Sequence, residues 1–245
     1  MSEQQREVSR RERVAEMQKQ STAKERNRRL LIGLAIVVVL SAVVAAFVVF
    51  SGGGSSTKTP AATPPATASS QALVVGSNAK AKYEVVVYED FLCPYCRQFE
   101  TSSRDFLRAA AAKGTVRIEY RPFHLLQDAY STRALSAWAA VLQGGTPVQA
   151  LRLHDLLYDN QPYEQTANKP GTSKLQSWAK QAGVSSSSVL DAMAETDPTY
   201  VDAADAAATK AGVTGTPTVF VNGQELSGSS ISSMVDNLER EISSS

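Results

Sequence analysis

The stretch Phe91–Phe99, FLCPYCRQF, contains both cysteines of the chain, Cys93 and Cys96. It follows Tyr83–Tyr88, a β-branched and aromatic run that predicts a buried strand, and Pro94 suits the first position of a helix. A thiolate at a helix N-terminus is stabilised by unpaired N–H groups and by the helix dipole. One turn further on, Cys96 is close enough to attack a mixed disulfide formed at Cys93. The stretch therefore predicts a redox-active thiol pair at a strand-to-helix junction.

Three other roles for the two cysteines are weaker interpretations. A structural disulfide would close a very short loop and would stabilise the fold little. A zinc site needs four ligands, and the spacing of His124 and His154, the two histidines of the chain, matches no zinc-binding pattern. Two inert thiols would suit the cytosol but not an oxidising compartment. We expect each histidine to be a packed or capping residue rather than a catalytic one.

The hydrophobic pattern of residues 72–245 predicts one α/β domain. After the first strand and helix, the alternating run Thr115–Tyr120 predicts a second strand, parallel to the first and joined to it by a right-handed crossover. A helical block over about 125–211 follows, with three interruptions that contain Gly or Pro, at Gly144-Gly145, Gln161-Pro162 and Lys169-Pro170-Gly171. The remaining elements are, in chain order, a strand at Thr218–Val221, an Asn222-Gly223 turn, a return strand at Gln224–Leu226 and an amphipathic helix from Ile231 to Ile242.

The run Leu30–Phe50, LLIGLAIVVVLSAVVAAFVVF, contains no charged residue. Its 21 residues would span about 31 Å as a helix, against about 30 Å for the hydrocarbon core of a bilayer. Positive residues crowd its N-terminal edge, whereas Lys58 is the only cation in the twenty residues after it. This asymmetry places the N-terminus in the cytoplasm and residues 51–245 outside. We predict a single transmembrane anchor; the alternative is a cleaved signal peptide, which prefers a shorter n-region and a shorter apolar stretch.

The segments on either side of this anchor differ in composition. Residues 1–29 contain nine Lys or Arg and five Asp or Glu, and we interpret them as a basic cytoplasmic tail. Residues 51–71 contain only Gly, Ser, Thr, Pro, Ala, Lys and Gln, which predicts a linker with too little apolar surface to fold. Residues 72–245 form the predicted extracytoplasmic domain. With a net charge of +1, the chain as a whole gives no indication of nucleic-acid binding.

Two separated motifs carry a family resemblance. The run Tyr88–Cys96, YEDFLCPYC, together with Gly212–Gly223, GVTGTPTVFVNG, resembles the DsbA-like branch of the thioredoxin superfamily. Two further runs agree with it, YRPFHLL from Tyr120 and LHDLLYDNQP from Leu153, so the resemblance covers nearly all of residues 72–245. It implies a thioredoxin fold interrupted by a helical insertion, which corresponds to the helical block predicted above.

The resemblance also implies roles for individual residues. Cys93 would be the nucleophile and Cys96 the resolving thiol. Pro217 corresponds to the cis-proline of the superfamily, and the backbone of Thr216 would pair with an extended substrate chain beside the nucleophile. An ordinary trans proline at the start of a strand is the alternative for Pro217.

The sequence departs from the family pattern at two places. Thioredoxin has a buried acid six residues before its first active-site cysteine, and Val87 occupies that position here. Glu89 and Asp90 are the nearest acids; either could accept a proton from Cys96, although we favour solvated loop carboxylates for both. The dipeptide between the cysteines is Pro-Tyr, as in glutaredoxins. The strongly oxidising DsbA prototype has Pro-His at this place, and glutaredoxins are weaker oxidants than it is. The direction of electron flow is therefore the least constrained part of the resemblance.

The sequence thus predicts a membrane-tethered, extracytoplasmic thiol–disulfide oxidoreductase. We expect it to exchange disulfides with secreted or cell-envelope proteins as an oxidase, without an organic cofactor or a metal. The resemblance implies reoxidation by a membrane partner that is DsbB-like or similar to vitamin K epoxide reductase. A reductase or isomerase on the same scaffold is one alternative, and a non-catalytic tethered module that binds unfolded or dedicated partner proteins is another.

Overall fold

The computed structural model describes residues 64–76 and 80–244. The predicted cytoplasmic tail 1–29, the predicted transmembrane helix 30–50 and residues 51–63 of the predicted linker lie outside these residues. Within the described part of the chain, no helix has the length and hydropathy that crossing a membrane requires.

The described residues form strands and helices in the order predicted from the sequence, with two additional strands at the start. The strands are β1 (Ala66–Ala68), β2 (Leu73–Val75), β3 (Tyr83–Glu89), β4 (Val116–Pro122), β5 (Thr218–Val221) and β6 (Gln224–Glu225). The helices are α1 (Pro94–Ala112), α2 (Ala129–Gly144), α3 (Pro147–Asp159), α4 (Thr172–Gln181), α5 (Ser187–Ala192), α6 (Pro198–Lys210) and α7 (Ile231–Ser243).

The strands form one mixed sheet in the order β1-β2-β4-β3-β5-β6. The central strands β3 and β4 are parallel, with Val85 opposite Ile118, and α1 makes the crossover between them. The other neighbouring pairs are antiparallel. In the hairpin between β5 and β6, Asn222 and Gly223 have φ values of 49° and 79°, as this two-residue turn requires. The predicted parallel pairing of β3 with β4 and the predicted hairpin are both confirmed.

Burial explains the composition of the central strands. Val85 and Val87 of β3 are fully buried, and so is Ile118 of β4. On the other face of β3, Glu84 is exposed, Val86 is half-buried and Tyr88 is buried, so that face is covered only toward the end of the strand. The end of β3, where the cysteine-containing turn begins, is therefore fixed in the centre of the sheet.

A helical insertion, α2 to α6, separates β4 from β5 and confirms the helical block predicted over about 125–211. The three predicted interruptions fall in two breaks, one between α2 and α3 and one between α3 and α4, and two further breaks, before α5 and before α6, were not predicted. Trp138 of α2 is fully buried and donates from Nε1 to the carbonyl oxygen of Ala150 at 3.0 Å, which joins α2 to α3. Because α3 also packs against α1, the insertion reaches the active-site helix.

The start of the folded part differs from the prediction. β1 lies inside residues 51–71, the predicted linker, and pairs antiparallel with β2, with Ala66 opposite Val75. The prediction rested on the small apolar surface of the segment, whereas a short edge strand gains its order from backbone hydrogen bonds to its neighbour. β2 is buried and was not predicted either, because three apolar residues are too few to show a period. The folded part therefore begins before Ala72.

Candidate active site

The two cysteines lie at the turn that joins β3 to α1. β3 ends at Glu89, α1 begins at Pro94, and Cys93 is the residue that precedes the helix. The Cys93 amide donates to the carbonyl oxygen of Asp90 at 3.0 Å, which closes the turn. Both thiols are free and buried, Cys93 being 4% and Cys96 1% exposed. The predicted position of the pair, at a strand-to-helix junction, is confirmed.

Cys93 is the more acidic of the two thiols. Its pKa is lowered to about 6, first by a hydrogen bond from the Cys96 thiol and then by the Thr216 side chain and the backbone amides at the start of α1, while burial opposes the shift. In its thiol form, Cys93 Sγ donates to the carbonyl oxygen of Thr216 at 3.3 Å. With this pKa, Cys93 is mostly thiolate at neutral pH, and the thiolate is the nucleophilic form.

Cys96 has the opposite character. Burial raises its pKa well above the ordinary value, and the neighbouring Cys93 sulfur and the Glu89 carboxylate raise it further. A hydrogen bond from the Asp90 backbone opposes this rise without cancelling it. At neutral pH the reduced pair therefore consists of one ionised and one protonated sulfur.

The loop before β5 lies beside the cysteines. The peptide bond between Thr216 and Pro217 is cis, as the family resemblance implied, so the alternative of a trans proline is wrong. Both residues are half-buried, and the Thr216 carbonyl oxygen is the acceptor for Cys93. The structure thus brings together the predicted nucleophile and the loop that we predicted to bind substrate.

The two acids at the end of β3 are not solvated. Glu89 and Asp90 are both fully buried, so our interpretation of them as solvated loop carboxylates is wrong. The Asp90 carboxylate accepts from the amides of Leu92 and Leu126, at 2.8 and 3.0 Å, and from the Ser131 hydroxyl at 2.8 Å. Burial raises the pKa of Asp90, and these hydrogen bonds oppose the rise. Asp90 ties the turn to the beginning of the insertion, which covers it and excludes water.

Glu89 contacts a different set of groups. Its Oε1 atom lies 2.6 Å from Nε2 of His154, which is fully buried on α3. Burial alone would lower the pKa of His154, but the Glu89 charge, the hydrogen bonds to Asp155 and Glu89 and the Glu100 charge together outweigh it and raise the pKa to about 10. The imidazole is enclosed by the rings of Phe91, Tyr120 and Tyr158, whose centroids are 5.8, 4.5 and 5.1 Å away. His154 is packed, as predicted, and it also pairs with a candidate site residue, which was not predicted.

The other histidine, His124, lies on the loop after β4 and contacts α6. Its amide donates to Oδ1 of Asp205 at 2.8 Å, and its Nδ1 atom lies 3.5 Å from Oδ2 of the same carboxylate. These contacts join the loop to the last helix of the insertion, in agreement with the predicted packing role.

Glu100 belongs to the same buried region and was missed by the sequence analysis. It is fully buried on α1, and neither of its carboxylate oxygens has a hydrogen-bond partner among the described residues. Burial raises its pKa to about 8, and the Glu89 charge adds to the rise. The signal that could have revealed it is spacing, because Glu100 follows Cys96 by four residues and therefore shares its helix face. We call Glu89, Glu100 and His154 the buried cluster.

Two arginines continue this face of α1. Arg104 and Arg108 follow Glu100 at further intervals of four residues, and both pair with Asp155 of α3. Arg108 does so through two hydrogen bonds of 2.5 Å. Burial would raise the pKa of Asp155, but hydrogen bonds from His154 and Arg108 hold it well below its usual range. These pairs join α1 to α3 and place positive charge beside the buried cluster.

The buried cluster suits a shared proton better than a metal ion. One possible ligand atom from each of its three side chains lies within 4.8 Å of the others. The 2.6 Å between Glu89 Oε1 and His154 Nε2 is nevertheless a hydrogen-bond distance. Two atoms that each lie about 2.0–2.2 Å from one zinc ion, at a tetrahedral angle, are roughly 3.3–3.6 Å apart. Arg104 and Arg108 already supply the positive charge that a cation would bring.

Gln161 is a second residue that the sequence analysis missed at the site. Its Nε2 atom donates to the carbonyl oxygens of Phe91 and Cys93, at 3.1 and 3.0 Å. The segment after α3 is thereby fixed to the active-site turn. We had interpreted Gln161-Pro162 only as a helix break, and no local pattern distinguishes such a break from an anchoring contact.

Three large apolar side chains in the described part of the chain are exposed. Tyr95 is 61%, Leu126 38% and Tyr163 78% exposed. Tyr95 lies between the two cysteines, the Leu126 amide donates to Asp90, and Tyr163 follows Gln161 by two residues. All three therefore belong to segments that form or contact the active-site turn.

Comparison with known proteins places the chain in a family. The family model described as Thioredoxin matches residues 69–239, which is more than half of the chain. A comparison with curated proteins finds no match. The matching range includes every residue of the two motifs that carried the resemblance.

Solved structures give a second, independent comparison. Reduced DsbA from Mycobacterium tuberculosis is 30% identical in sequence, with a TM-score of 0.56, and the match covers 74% of this chain and 92% of that one. Reduced DsbG, a disulfide bond oxidoreductase from the same organism, is 31% identical, with a TM-score of 0.58 and coverage of 72% and 86%. MdbA, a thiol–disulfide oxidoreductase from Corynebacterium diphtheriae, is 20% identical, with a TM-score of 0.61 and coverage of 78% and 100%, and supports the fold alone.

The fold, the two free thiols at the start of α1 and these comparisons agree with one another. The predicted thioredoxin fold with a helical insertion is confirmed, as is the prediction of an enzyme. This chain belongs to the thioredoxin family and is a protein thiol–disulfide oxidoreductase of the DsbA type.

Proposed function

We propose that this protein is a membrane-tethered disulfide oxidase that acts on secreted or cell-envelope proteins. The observation that carries the proposal is the low pKa of Cys93, about 6, beside a protonated Cys96. A low pKa stabilises the reduced, thiolate form of the pair, and a stabilised reduced form makes the disulfide a stronger oxidant. Electrons would therefore flow from client thiols to the enzyme.

In this proposal each exchange begins at Cys93. A client thiolate attacks Cys93 Sγ of the oxidised enzyme, the bond between Cys93 and Cys96 breaks, and Cys96 keeps the electron pair and takes up a proton. The second client thiolate then attacks the client sulfur of the mixed disulfide. This step forms the client disulfide and releases Cys93 as a thiolate. Two electrons have passed to the enzyme, and these steps require neither an organic cofactor nor a metal.

Client chains would bind along the loop before β5. Thr216 lies beside Cys93, so an extended chain that pairs with the Thr216 backbone would hold its cysteine close to the nucleophile. The exposed side chains of Tyr95, Leu126 and Tyr163 lie on the segments around this point. Such apolar surface suits a client that is still unfolded, because its apolar side chains are then accessible.

The tether and its orientation rest on the sequence. The uncharged run Leu30–Phe50 is long enough to cross a bilayer, and the basic residues before it favour a cytoplasmic N-terminus. The oxidase would then work outside the cell membrane and pass its electrons to a membrane reoxidant, DsbB-like or similar to vitamin K epoxide reductase. Protease added to intact spheroplasts should remove residues 72–245 and leave a short N-terminal fragment. Protection of the whole chain would contradict this orientation.

A reductase or isomerase is the second candidate, and the Pro-Tyr dipeptide between the cysteines favours it. A redox titration in glutathione buffers separates the two. A reduction potential more positive than about −150 mV supports the oxidase, whereas one near −250 mV supports a reductase.

Activity assays test the proposal directly. The wild-type protein should form disulfides in a reduced client faster than it reduces insulin, and Cys93→Ser should do neither. Cys96→Ser should accumulate mixed disulfides between Cys93 and clients, visible as high-mass bands that disappear on reduction. If Cys93→Ser oxidises clients as well as the wild type does, the assigned nucleophile is wrong.

A further inference from the structure

Three arginines lie along one side of the active-site helix. Arg97, Arg104 and Arg108 follow one another on α1 at intervals of seven and four residues, which return to the same side of a helix. Arg104 and Arg108 pair with acidic residues of α3. Arg97, the closest of the three to the cysteines, has no side-chain ion pair or hydrogen bond with any residue that the structure describes. Two of these cations therefore hold helices together, and the third does not.

Arg97 lies one helical turn beyond the nucleophile. Its amide donates to the carbonyl oxygen of Cys93 at 3.2 Å, a hydrogen bond of the first turn of α1. Residues four apart are neighbours on the surface of a helix. Helical side chains also lean toward the N-terminal end of their helix, and at this end lies Cys93. The half-buried Arg97 side chain is therefore directed to the surface around the nucleophile.

The charge of Arg97 is not used inside the protein. Three acids close to it in sequence, Glu89, Asp90 and Glu100, are fully buried, and none of them forms an ion pair with Arg97 among the described residues. Arg97 is also absent from the groups that chiefly lower the pKa of Cys93. The guanidinium is thus available to a molecule that approaches the nucleophile from outside.

The chemistry of this molecule follows from the group that would bind it. A guanidinium presents two parallel N–H groups, which match the two oxygens of a carboxylate. The exposed side chains of Tyr95 and Tyr163 lie on segments that form or contact the same turn, so a bound chain would shield the pair from water. In a client held at the Thr216 backbone, the side chains next to the reactive cysteine are those that come closest to Arg97.

We propose that Arg97 is a specificity-determining residue that binds a carboxylate next to the reactive cysteine of a client. This inference rests on the proposed attack of client thiolates at Cys93. It gives that site a substrate class, namely unfolded chains in which Asp or Glu adjoins the cysteine. Arg97 takes part by binding the client, and the bonds that form and break are those of the proposed exchange.

The test uses three peptides, Ala-X-Cys-X-Ala with both ends blocked, in which X is Glu, Gln or Lys. The measured quantity is the rate at which each peptide reduces the oxidised full-length protein. Each rate is divided by the rate at which the same peptide reduces hydroxyethyl disulfide, which is uncharged. The intrinsic reactivity of the peptide thiol then cancels, and the remaining difference belongs to recognition by the protein.

Substitutions at Arg97 should change the three rates unequally. Arg97→Gln should slow the Glu peptide about fivefold, the upper end of what a surface ion pair contributes, and leave the Gln peptide within about twofold. Arg97→Glu should slow the Glu peptide further and accelerate the Lys peptide. Arg97→Lys should keep part of the preference, because it retains the charge but not the two parallel N–H groups.

Two results with these variants would refute the proposal. A change by the same factor for all three peptides would mean that Arg97 acts on the fold or on Cys93 rather than on the client. Rates that do not change for any peptide would mean that Arg97 does not contact the client at all.

The wild type alone gives a second measurement, which does not depend on the folding of a variant. Salt shortens the Debye length from about 10 Å at about 0.1 M to about 3 Å at about 1 M. Over this range the rate for the Glu peptide should fall toward that of the Gln peptide, and the rate for the Lys peptide should rise toward it. Three wild-type rates that coincide at low salt would overturn the inference.

The matched control is Lys113→Glu, a charge reversal at the opposite end of α1. Lys113 is exposed and follows the last residue of the helix. Sixteen residues along a helix separate it from Arg97 by about 24 Å, more than twice the Debye length of about 10 Å. Lys113→Glu should leave the three rates as in the wild type. An effect as large as that of Arg97→Glu would assign the preference to the overall charge of the domain and would refute a contact at Arg97.

Failure of this inference can be distinguished from failure of the proposed function. If none of the peptides reduces the disulfide between Cys93 and Cys96, the proposed exchange fails and the inference fails with it. If all three reduce it at rates that do not depend on Arg97, the exchange stands and only the preference is lost. Peptide thiols reduce the pair whichever way electrons flow to clients, so the result does not presuppose an oxidase.

Discussion

Glu89 and Asp90 are adjacent in sequence and fully buried, yet they lie in two different regions of the molecule. The groups that donate to the Asp90 carboxylate are uncharged, and hydrogen bonds from Leu92, Leu126 and Ser131 occupy both carboxylate oxygens. The region around Glu89 is charged and incompletely hydrogen-bonded, since Oε2 of Glu89 and both carboxylate oxygens of Glu100 have no partner among the described residues. Glu89 is the last residue of β3, whereas Asp90 is the first residue of the turn that follows it.

The difference between the two regions shows that a buried carboxylate can have either of two roles. Every hydrogen bond that Asp90 accepts stabilises one arrangement of the turn, so a change in its protonation would break contacts. The buried cluster has spare acceptors and neighbours of both charge signs, so a proton can move within it at lower cost. We expect the first region to determine the position of the turn and the second to determine the chemistry of Cys96.

The largest expected effect concerns Glu100 and the pH dependence of stability. Its pKa rises from 4.5 to about 8 on folding, so between these values the folded state holds a proton that the unfolded state releases. The stabilisation is complete below about pH 4.5 and is lost as the pH rises to about 8, at up to about 1.4 kcal/mol per pH unit. Glu100→Gln should remove this contribution and be more stable than the wild type at pH 8.

Urea unfolding at pH 5, 6.5 and 8 measures this contribution. Glu195→Gln is the control, because Glu195 is exposed and the substitution should leave the pH dependence unchanged. If the unfolding free energy of Glu100→Gln varied with pH in parallel with that of the wild type, Glu100 would make no pH-dependent contribution to stability. The two regions would then not differ in the pH dependence of their contributions.

The next effect concerns the region around Asp90, where both carboxylate oxygens are hydrogen-bonded. Asp90→Asn replaces an acceptor oxygen by an amide that faces another donor, which should cost about 1–3 kcal/mol of unfolding free energy. Ser131→Ala, which removes a single donor to Asp90, should cost about 1 kcal/mol. Thermal unfolding measures both, and an Asp90→Asn protein as stable as the wild type would show that the hydrogen-bonded carboxylate is dispensable.

A smaller effect concerns the hydrogen bond between the two cysteines and its influence on the pKa of Cys93. The hydrogen bond from Cys96 is the main cause of the low pKa of Cys93, so Cys96→Ala should raise that pKa from about 6 toward its ordinary value. Cys96→Ser keeps a donor at this position and should raise it less. Thiolate absorbance near 240 nm, followed against pH, measures the pKa. If the pKa of Cys93 were the same in the two variants, Thr216 and the helix amides would be the groups that lower it, rather than the hydrogen bond from Cys96.

The smallest effect concerns the contact between the insertion and the turn. Gln161→Ala removes hydrogen bonds to the carbonyl oxygens of Phe91 and Cys93 and should cost about 1 kcal/mol of unfolding free energy. Because these bonds do not reach either sulfur, the rate at which iodoacetamide alkylates Cys93 at pH 7 should stay within about twofold. A larger change in that rate would mean that Gln161 acts on the chemistry as well as on the position of the turn.

Local sequence signals were sufficient to predict much of the fold and half of the site residues. The apolar run of β3, the proline at the start of α1 and the Asn222-Gly223 turn each determine backbone conformation through the residues themselves. Cys93, Cys96 and Pro217 were predicted because their spacing and motifs are specific to a family. These features depend on neighbours in sequence, so a single chain shows them.

The rest of the site depends on which surfaces meet. Glu89 and Asp90 are buried because the insertion covers the end of β3. The hydrophobic pattern of one segment does not reveal which other segment packs against it. His154 and Glu100 lie on different helices, and only the packing of α3 against α1 brings both to Glu89. β1 was missed for a related reason, since its order comes from the strand beside it.

The two edges of the sheet have a consequence for the proposed exchange of disulfides with unfolded chains. Within the described residues the edge strands are β1, of three residues, and β6, of two. Unpaired N–H and C=O groups along an edge are a template on which a foreign strand can add. Edges this short offer an aggregation-prone client only a few such groups, so client and enzyme can meet repeatedly without growing into a shared sheet.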